Sequence, residues 1–78
     1  MTVLERVCKL VMILGESHNE VVLELDYEDF TIGSIELIDE YIIINIWEDD
    51  FEIQYLFTDM SIGLQNFILL ELEEILKK

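Results

Sequence analysis

Tyr41-Ile42-Ile43-Ile44-Asn45-Ile46-Trp47 reads as a strand that is apolar on both faces, with Ile42, Ile44 and Ile46 on one side and Tyr41, Ile43 and Trp47 on the other. Such a strand belongs at the centre of a sheet, because an edge or half-solvated strand shows one polar set. Acidic pairs bound it. Asp39-Glu40 precedes it and Asp49-Asp50 follows it, and both are short enough to close hairpins. Beyond the second turn Phe51, Ile53, Tyr55 and Phe57 alternate with Glu52, Gln54 and Leu56, which predicts a fourth strand. Before the first turn Ile35 and Leu37 alternate with Ser34, Glu36 and Ile38. Further upstream Val21, Leu23, Leu25 and Tyr27 alternate with Val22, Glu24, Asp26 and Glu28. These two runs predict the second and first strands.

A helix is expected on either side of this block. Thr2 followed by Glu5 is a capping-box pattern, and Val3, Leu4, Val7, Leu10, Val11 and Leu14 recur behind it at helical spacing until Gly15 stops the helix. Asp59 or Ser61 can cap a last helix reaching Lys77, whose core stripe is Leu64, Ile68, Leu72, Ile75 and Leu76. Phe67 and Leu70 fall outside that stripe, so this helix carries more apolar surface than one sheet face requires. The order α-β-β-β-β-α predicts a single α+β domain over residues 1–78. Its sheet is an antiparallel four-stranded meander, with three strands as the alternative, and both helices pack on one face.

With 78 residues the chain holds one modest core. Its 53% apolar content separates it from disordered acidic tails. The formal net charge is −14, and the only basic residues are Arg6, Lys9, Lys77 and Lys78. Between Leu10 and Leu76 there is no lysine or arginine, whereas every acidic residue except Glu5 lies there. Those carboxylates repel one another unless salt or a cationic partner offsets them, and nucleic acid and anionic membranes are poor partners for such a body. Cys8 is alone, which excludes an internal disulfide. With no apolar run of membrane-spanning length and no secretory leader pattern, a cytoplasmic location is expected.

If the helices cover one sheet face, Val22, Glu24, Asp26, Glu28, Glu36, Ile38, Ile43, Asn45, Trp47, Glu52, Gln54 and Leu56 lie on the other, acidic at its margins and apolar near its middle. Carboxylates two apart on a strand stand about 6.6–6.8 Å apart, close to two phosphate steps of about 3.4 Å along one DNA strand. Glu24, Asp26 and Glu28, flanked by Glu36 and Glu52, are therefore candidates for imitating a phosphate track, with Trp47 as an anchor. A solvated strand face is also normally charged, but soluble surfaces usually mix signs, and here no lysine is interspersed.

Catalytic and metal chemistry find little support. Glu48-Asp49-Asp50-Phe51-Glu52 offers oxygen ligands but lacks the glycine and spacing of a calcium loop. His18 is the only histidine and sits in a polar turn, while Cys8 lies among aliphatic residues as a small hydrophobe. Gly15, Gly33 and Gly63 are dispersed, so no phosphate loop exists, and neither a Ser-His-Asp order nor a Cys-x-x-Cys motif occurs. The expectation is a non-enzymatic protein with no cofactor, metal or catalytic residue. In size and charge the chain resembles the small acidic inhibitors that phages and mobile elements direct against nucleic-acid-handling enzymes. That likeness implies a module occupying a basic, nucleic-acid-binding surface of a partner protein. The alternative is a homo-oligomeric assembly protein that buries Phe67, Leu70 and the open-face aromatics against a copy of itself, such as a homodimer.

Overall fold

A computed structural model describes residues 1–78 and shows α1 (Val3–Leu14), β1 (Glu20–Tyr27), β2 (Phe30–Ile38), β3 (Tyr41–Glu48), β4 (Phe51–Leu56) and α2 (Ile62–Lys77). Short 3-10 turns, Glu16–His18 and Phe57–Asp59, follow α1 and β4. The sheet is antiparallel in the order β1-β2-β3-β4, so each strand pairs with its neighbour in sequence. Four strands and two flanking helices give the expected α-β-β-β-β-α topology.

Local chemistry accounts for the helix ends. The Thr2 hydroxyl oxygen accepts from the Glu5 backbone N–H at 3.1 Å, and the Glu5 carboxylate accepts from the Thr2 backbone N–H, closing the box at α1. Ser61 caps α2 by accepting from the Leu64 N–H at 3.2 Å. Gly15 ends α1 through close approach rather than a left-handed turn: a Cβ there would lie 2.5 Å from the Glu20 nitrogen and 2.7 Å from the Val11 carbonyl oxygen.

One core lies between the helices and one face of the sheet. Val7, Leu10 and Val11 of α1 and Leu64, Ile68, Leu69 and Leu72 of α2 pack on Val21, Ile32, Ile35, Ile42, Ile44 and Ile46, with Phe57 closing the end. The expected stripe of α2 is corrected in part. Leu69 is buried, whereas Ile75 and Leu76 are exposed. Phe67 packs against the core with its ring centroid 4.9 Å from that of Tyr27, and Leu70 stays exposed.

Two features of the sheet differ from the sequence reading. β2 begins at Phe30, four residues before the expected Ser34, and β4 ends at Leu56, so Phe57 enters the buried 3-10 turn instead of the strand. The cause in β2 is a bulge. Ile32 pairs with Ile46 and Ser34 with Asn45, which leaves Gly33 extra. The bulge lets Ile32 and Ile35, three apart, both reach the core. On the opposite face the Trp47 indole lies against Gly33, where a Cβ would sit 2.6 Å from Nε1 and 2.8 Å from Cδ1. Gly33→Ala must displace the indole, at an expected cost of about 1 kcal/mol. Thermal unfolding and Trp47 emission report both effects, and the penalty disappears in a Trp47→Ala background.

All three hairpins turn on acidic pairs, Glu28-Asp29, Asp39-Glu40 and Asp49-Asp50. The first residue of each has positive φ: 53° at Glu28, 56° at Asp39 and 56° at Asp49. Aspartate tolerates that region better than glutamate, whose longer side chain gains no local hydrogen bond there. Replacing Glu28 by Gly removes the clash of about 1–2 kcal/mol at the expense of some unfolded-state entropy. Glu28→Gly is expected to raise the melting temperature by a few degrees, measured by circular dichroism.

Candidate acidic docking face

The face of the sheet away from the helices is organised by cross-strand rows. In the middle row Ser34, Asn45 and Gln54 stand opposite one another. Asn45 Nδ2 donates to Ser34 Oγ at 2.6 Å and to Glu36 Oε1 at 2.9 Å, while its Oδ1 accepts from Gln54 Nε2 at 2.8 Å. Although no helix covers them, Asn45 is only 3% exposed and Ser34 8%. Neighbouring side chains shield the row, and no buried side-chain polar atom lacks a partner.

Apolar patches lie on both sides of this row. Toward the β2–β3 turn, Ile38, Tyr41, Ile43 and Leu56 line a shallow depression of about 420 Å³. Toward the other end, Trp47, Val22, Leu23, Glu24, Thr31 and Gly33 line a second of about 420 Å³, with Trp47 48% exposed. Carboxylates rim both. Glu36 stands opposite Ile43 and Glu52 opposite Trp47. Asp26 accepts from the Thr31 hydroxyl at 2.8 Å. Glu24 and Asp26 are both exposed on β1.

The structure thus brings Glu24, Asp26, Glu36, Trp47 and Glu52 onto one face, and it adds Glu20, which pairs directly opposite Glu36. Like charges facing across a ladder repel. The pairing follows from the register of β1 against β2, which the alternation pattern alone does not reveal. Glu28 does not continue the row. It occupies the β1–β2 turn and, with Asp29, Glu48 and Asp59, rims a separate cleft of about 340 Å³ on the helix side, floored by Phe30, Ile46, Tyr55, Met60 and Leu64.

The charge balance is as lopsided in space as in sequence. The one ion pair of the protein joins Arg6 Nη2 to the Glu73 carboxylate at 3.0 Å, between the two helices and partly exposed, where it contributes about 0–1 kcal/mol. Arg6, Lys9 and Lys77 cluster around a groove between α1 and α2, with Lys78 at the end of α2. No cation stands on the sheet. Four carboxylates over an apolar floor, or three about an exposed indole, suit an organic cation or a guanidinium or ammonium side chain. No group of three or more His, Cys, Asp or Glu side chains is arranged to hold a metal ion.

The nucleophile candidates stand apart from this face. Burial, and secondarily the charge of Glu5, push the Cys8 thiol above its ordinary value of 9.0, so at neutral pH it is held protonated. His18 is exposed in the turn after α1. No helix of the chain is long and apolar enough to cross a membrane.

Comparison with known proteins finds no matching family model, no similar curated protein and no similar solved structure.

Asn45→Asp isolates the role of the polar row. It removes the donor to Ser34 and Glu36 and sets two carboxylates against each other, with an expected loss of about 2–4 kcal/mol at neutral pH. Protonation of either carboxyl restores a donor, so the deficit should shrink as pH falls through the carboxylate range. In denaturant titrations the deficit of Asn45→Ala should stay nearly independent of pH.

Proposed function

We propose that the protein is a non-enzymatic acidic binding module whose uncovered sheet face docks on a basic surface of a partner protein, one that otherwise contacts nucleic acid. The observation that carries this reading is the absence of any cation on a face that holds Glu24, Asp26 and Glu52 about the half-exposed Trp47 and Glu20 and Glu36 beside the other apolar patch. A face serving only solubility has no need to exclude lysine, and mixed signs would relieve the Glu20–Glu36 repulsion. Arginine and lysine side chains of a partner relieve it instead. The backbone spacing from Glu24 to Asp26 is on the scale of two phosphate steps.

Division of labour follows from the physics of such contacts. Long-range attraction to the carboxylates sets the encounter rate, and it weakens as salt shortens the screening length. Insertion of Trp47 and packing on Ile38, Tyr41, Ile43 and Leu56 set the lifetime. We place the protein in the cytoplasm, where a lone half-buried thiol stays reduced. The alternative, self-assembly through Phe67, Leu70 and the open-face aromatics, has less apolar surface to draw on, because Phe67 already packs on Tyr27 within the chain.

The test uses the intact protein as bait for basic proteins of its host at low salt, followed by competition with DNA or RNA for whatever partner is captured. Glu24→Lys with Asp26→Lys should weaken binding at least tenfold and flatten its salt dependence. Trp47→Ala should instead speed dissociation while leaving the salt dependence intact. Binding that is indifferent to both salt and the lysine substitutions would refute charge mimicry.

A further inference from the structure

We propose that the free edge of β4 pairs with β4 of a second copy of this chain, antiparallel across a two-fold axis at Ile53, so that two four-stranded sheets become one of eight strands. The inference is independent of which partner the acidic face takes.

The two edges of the sheet are treated differently. β1 carries Glu20, Glu24 and Asp26 and has a register irregularity between Val22 and Leu25, both devices that discourage strand addition. β4 is less protected, with one charge and no irregularity. Phe51–Leu56 pairs regularly with β3, contains no lysine or proline, and has Glu52 as its only charge. The backbone hydrogen bonds outside regular elements do not reach its outer side. Glu48 and Phe51 close a two-residue turn as a hydrogen-bonded pair, so Phe51, Ile53 and Tyr55 direct their backbone groups to β3. Glu52, Gln54 and Leu56 therefore direct theirs outward, free to bond a further strand.

Side chains at this edge are left uncovered as well. Phe51 and Tyr55 lie on the helix side of the sheet, yet Phe51 is 70% exposed and Tyr55 43%, because the helices pack over the inner strands. Antiparallel pairing about a two-fold matches residues whose numbers sum to a constant. With Ile53 on the axis, Ile53 meets its own copy, Phe51 stands opposite Tyr55 of the second copy, and Glu52 stands opposite Gln54 of the second copy. Each exposed ring thus gains an aromatic cross-strand neighbour and each Glu52 faces an amide. Moving the axis to Glu52 sets Glu52 against Glu52. Moving it to Gln54 sets Phe51 against Phe57, which is buried in the 3-10 turn of its own chain.

Charge opposes this union chiefly at Glu52, which meets its own copy as a diagonal neighbour about 7–8 Å away across the junction, a repulsion that salt screens. In the Ile53 register the two Asp49-Asp50 turns fall at opposite ends of the junction, about 24 Å apart at about 3.4 Å per residue. The screening length at physiological ionic strength is about 8 Å, so the turns scarcely sense each other. Added salt should strengthen the pairing, the reverse of its effect on a contact with a basic partner.

The test is self-association of the full chain by sedimentation and light scattering, combined with site-directed crosslinking in a Cys8→Ala background. Opposed Ile53 residues form a non-hydrogen-bonded pair with Cα atoms about 4.5 Å apart, within disulfide range. The two Phe51 residues stand roughly 14 Å apart along the strand axis, beyond that range. Air oxidation of Ile53→Cys should give a covalent dimer and that of Phe51→Cys none. Phe51→Lys with Tyr55→Lys should weaken dimerisation at least tenfold while circular dichroism stays native. Monomers at several hundred micromolar protein in both physiological and high salt would overturn the proposal, as would equally efficient crosslinking at both positions.

Discussion

Burial of Ile42, Ile44 and Ile46 on one side of β3 is the interaction around which the rest of the chain is arranged. The three side chains are almost completely removed from water, and each fully buried aliphatic of this size contributes about 1.5–3 kcal/mol. A chain of 78 residues has few such groups and cannot leave them at an edge. β2 and β4 flank β3, the β2 bulge turns Ile32 and Ile35 onto the same side, and the helices close over all five isoleucines. The opposite side of β3 answers a different need. Because side chains alternate, a slip of one residue would drive Asn45 into the core and expose the isoleucines. The hydrogen bonds of Asn45 to Ser34, Glu36 and Gln54 are satisfied in this register alone, so the polar row and the apolar wall specify the same alignment.

Electrostatics works against this small core. Of 18 acidic side chains only Glu73 has a cationic partner within salt-bridge distance, and the turns concentrate carboxylates at their tips. Self-repulsion of this kind lowers the stability of the compact state. The protein bears that cost on its sheet and turns while gathering its few cations on the helices. The separation leaves the helices, where Arg6, Lys9, Lys77 and Lys78 offset Glu5, Glu71, Glu73 and Glu74, close to neutral and the aromatic-bearing sheet wholly acidic, and it is this asymmetry that the docking proposal rests on.

Edge chemistry and face chemistry are separable. Contact through the β4 backbone leaves Glu24, Asp26 and Trp47 uncovered and would place two acidic faces side by side in one continuous surface. Binding in that arrangement gains from multivalency, since a second face is already tethered when the first engages.

Much of the fold was legible in one dimension. The Thr2–Glu5 capping box, the Ser61 cap, the double alternation of Tyr41–Trp47 and the acidic hairpin pairs around it are local signals, and local hydrogen bonding and side-chain period decide them. The start of β2 was not legible, because Ile32 and Ile35 match no period of two until the bulge at Gly33 is known. Nor was the exposure of Ile75 and Leu76, whose spacing continues the buried stripe of α2. At the candidate site the composition of the open face was readable from alternation. The Glu20–Glu36 pairing, the departure of Glu28 into a turn and the burial of Asn45 required the register of strands distant in sequence. Sequence by itself determined the elements, their order and a charge that no internal cation balances. Tertiary structure alone decided that Glu20 joins Glu36 on the open face and that Glu28 leaves it, because both depend on the register of β1 against β2 and on where their turn falls.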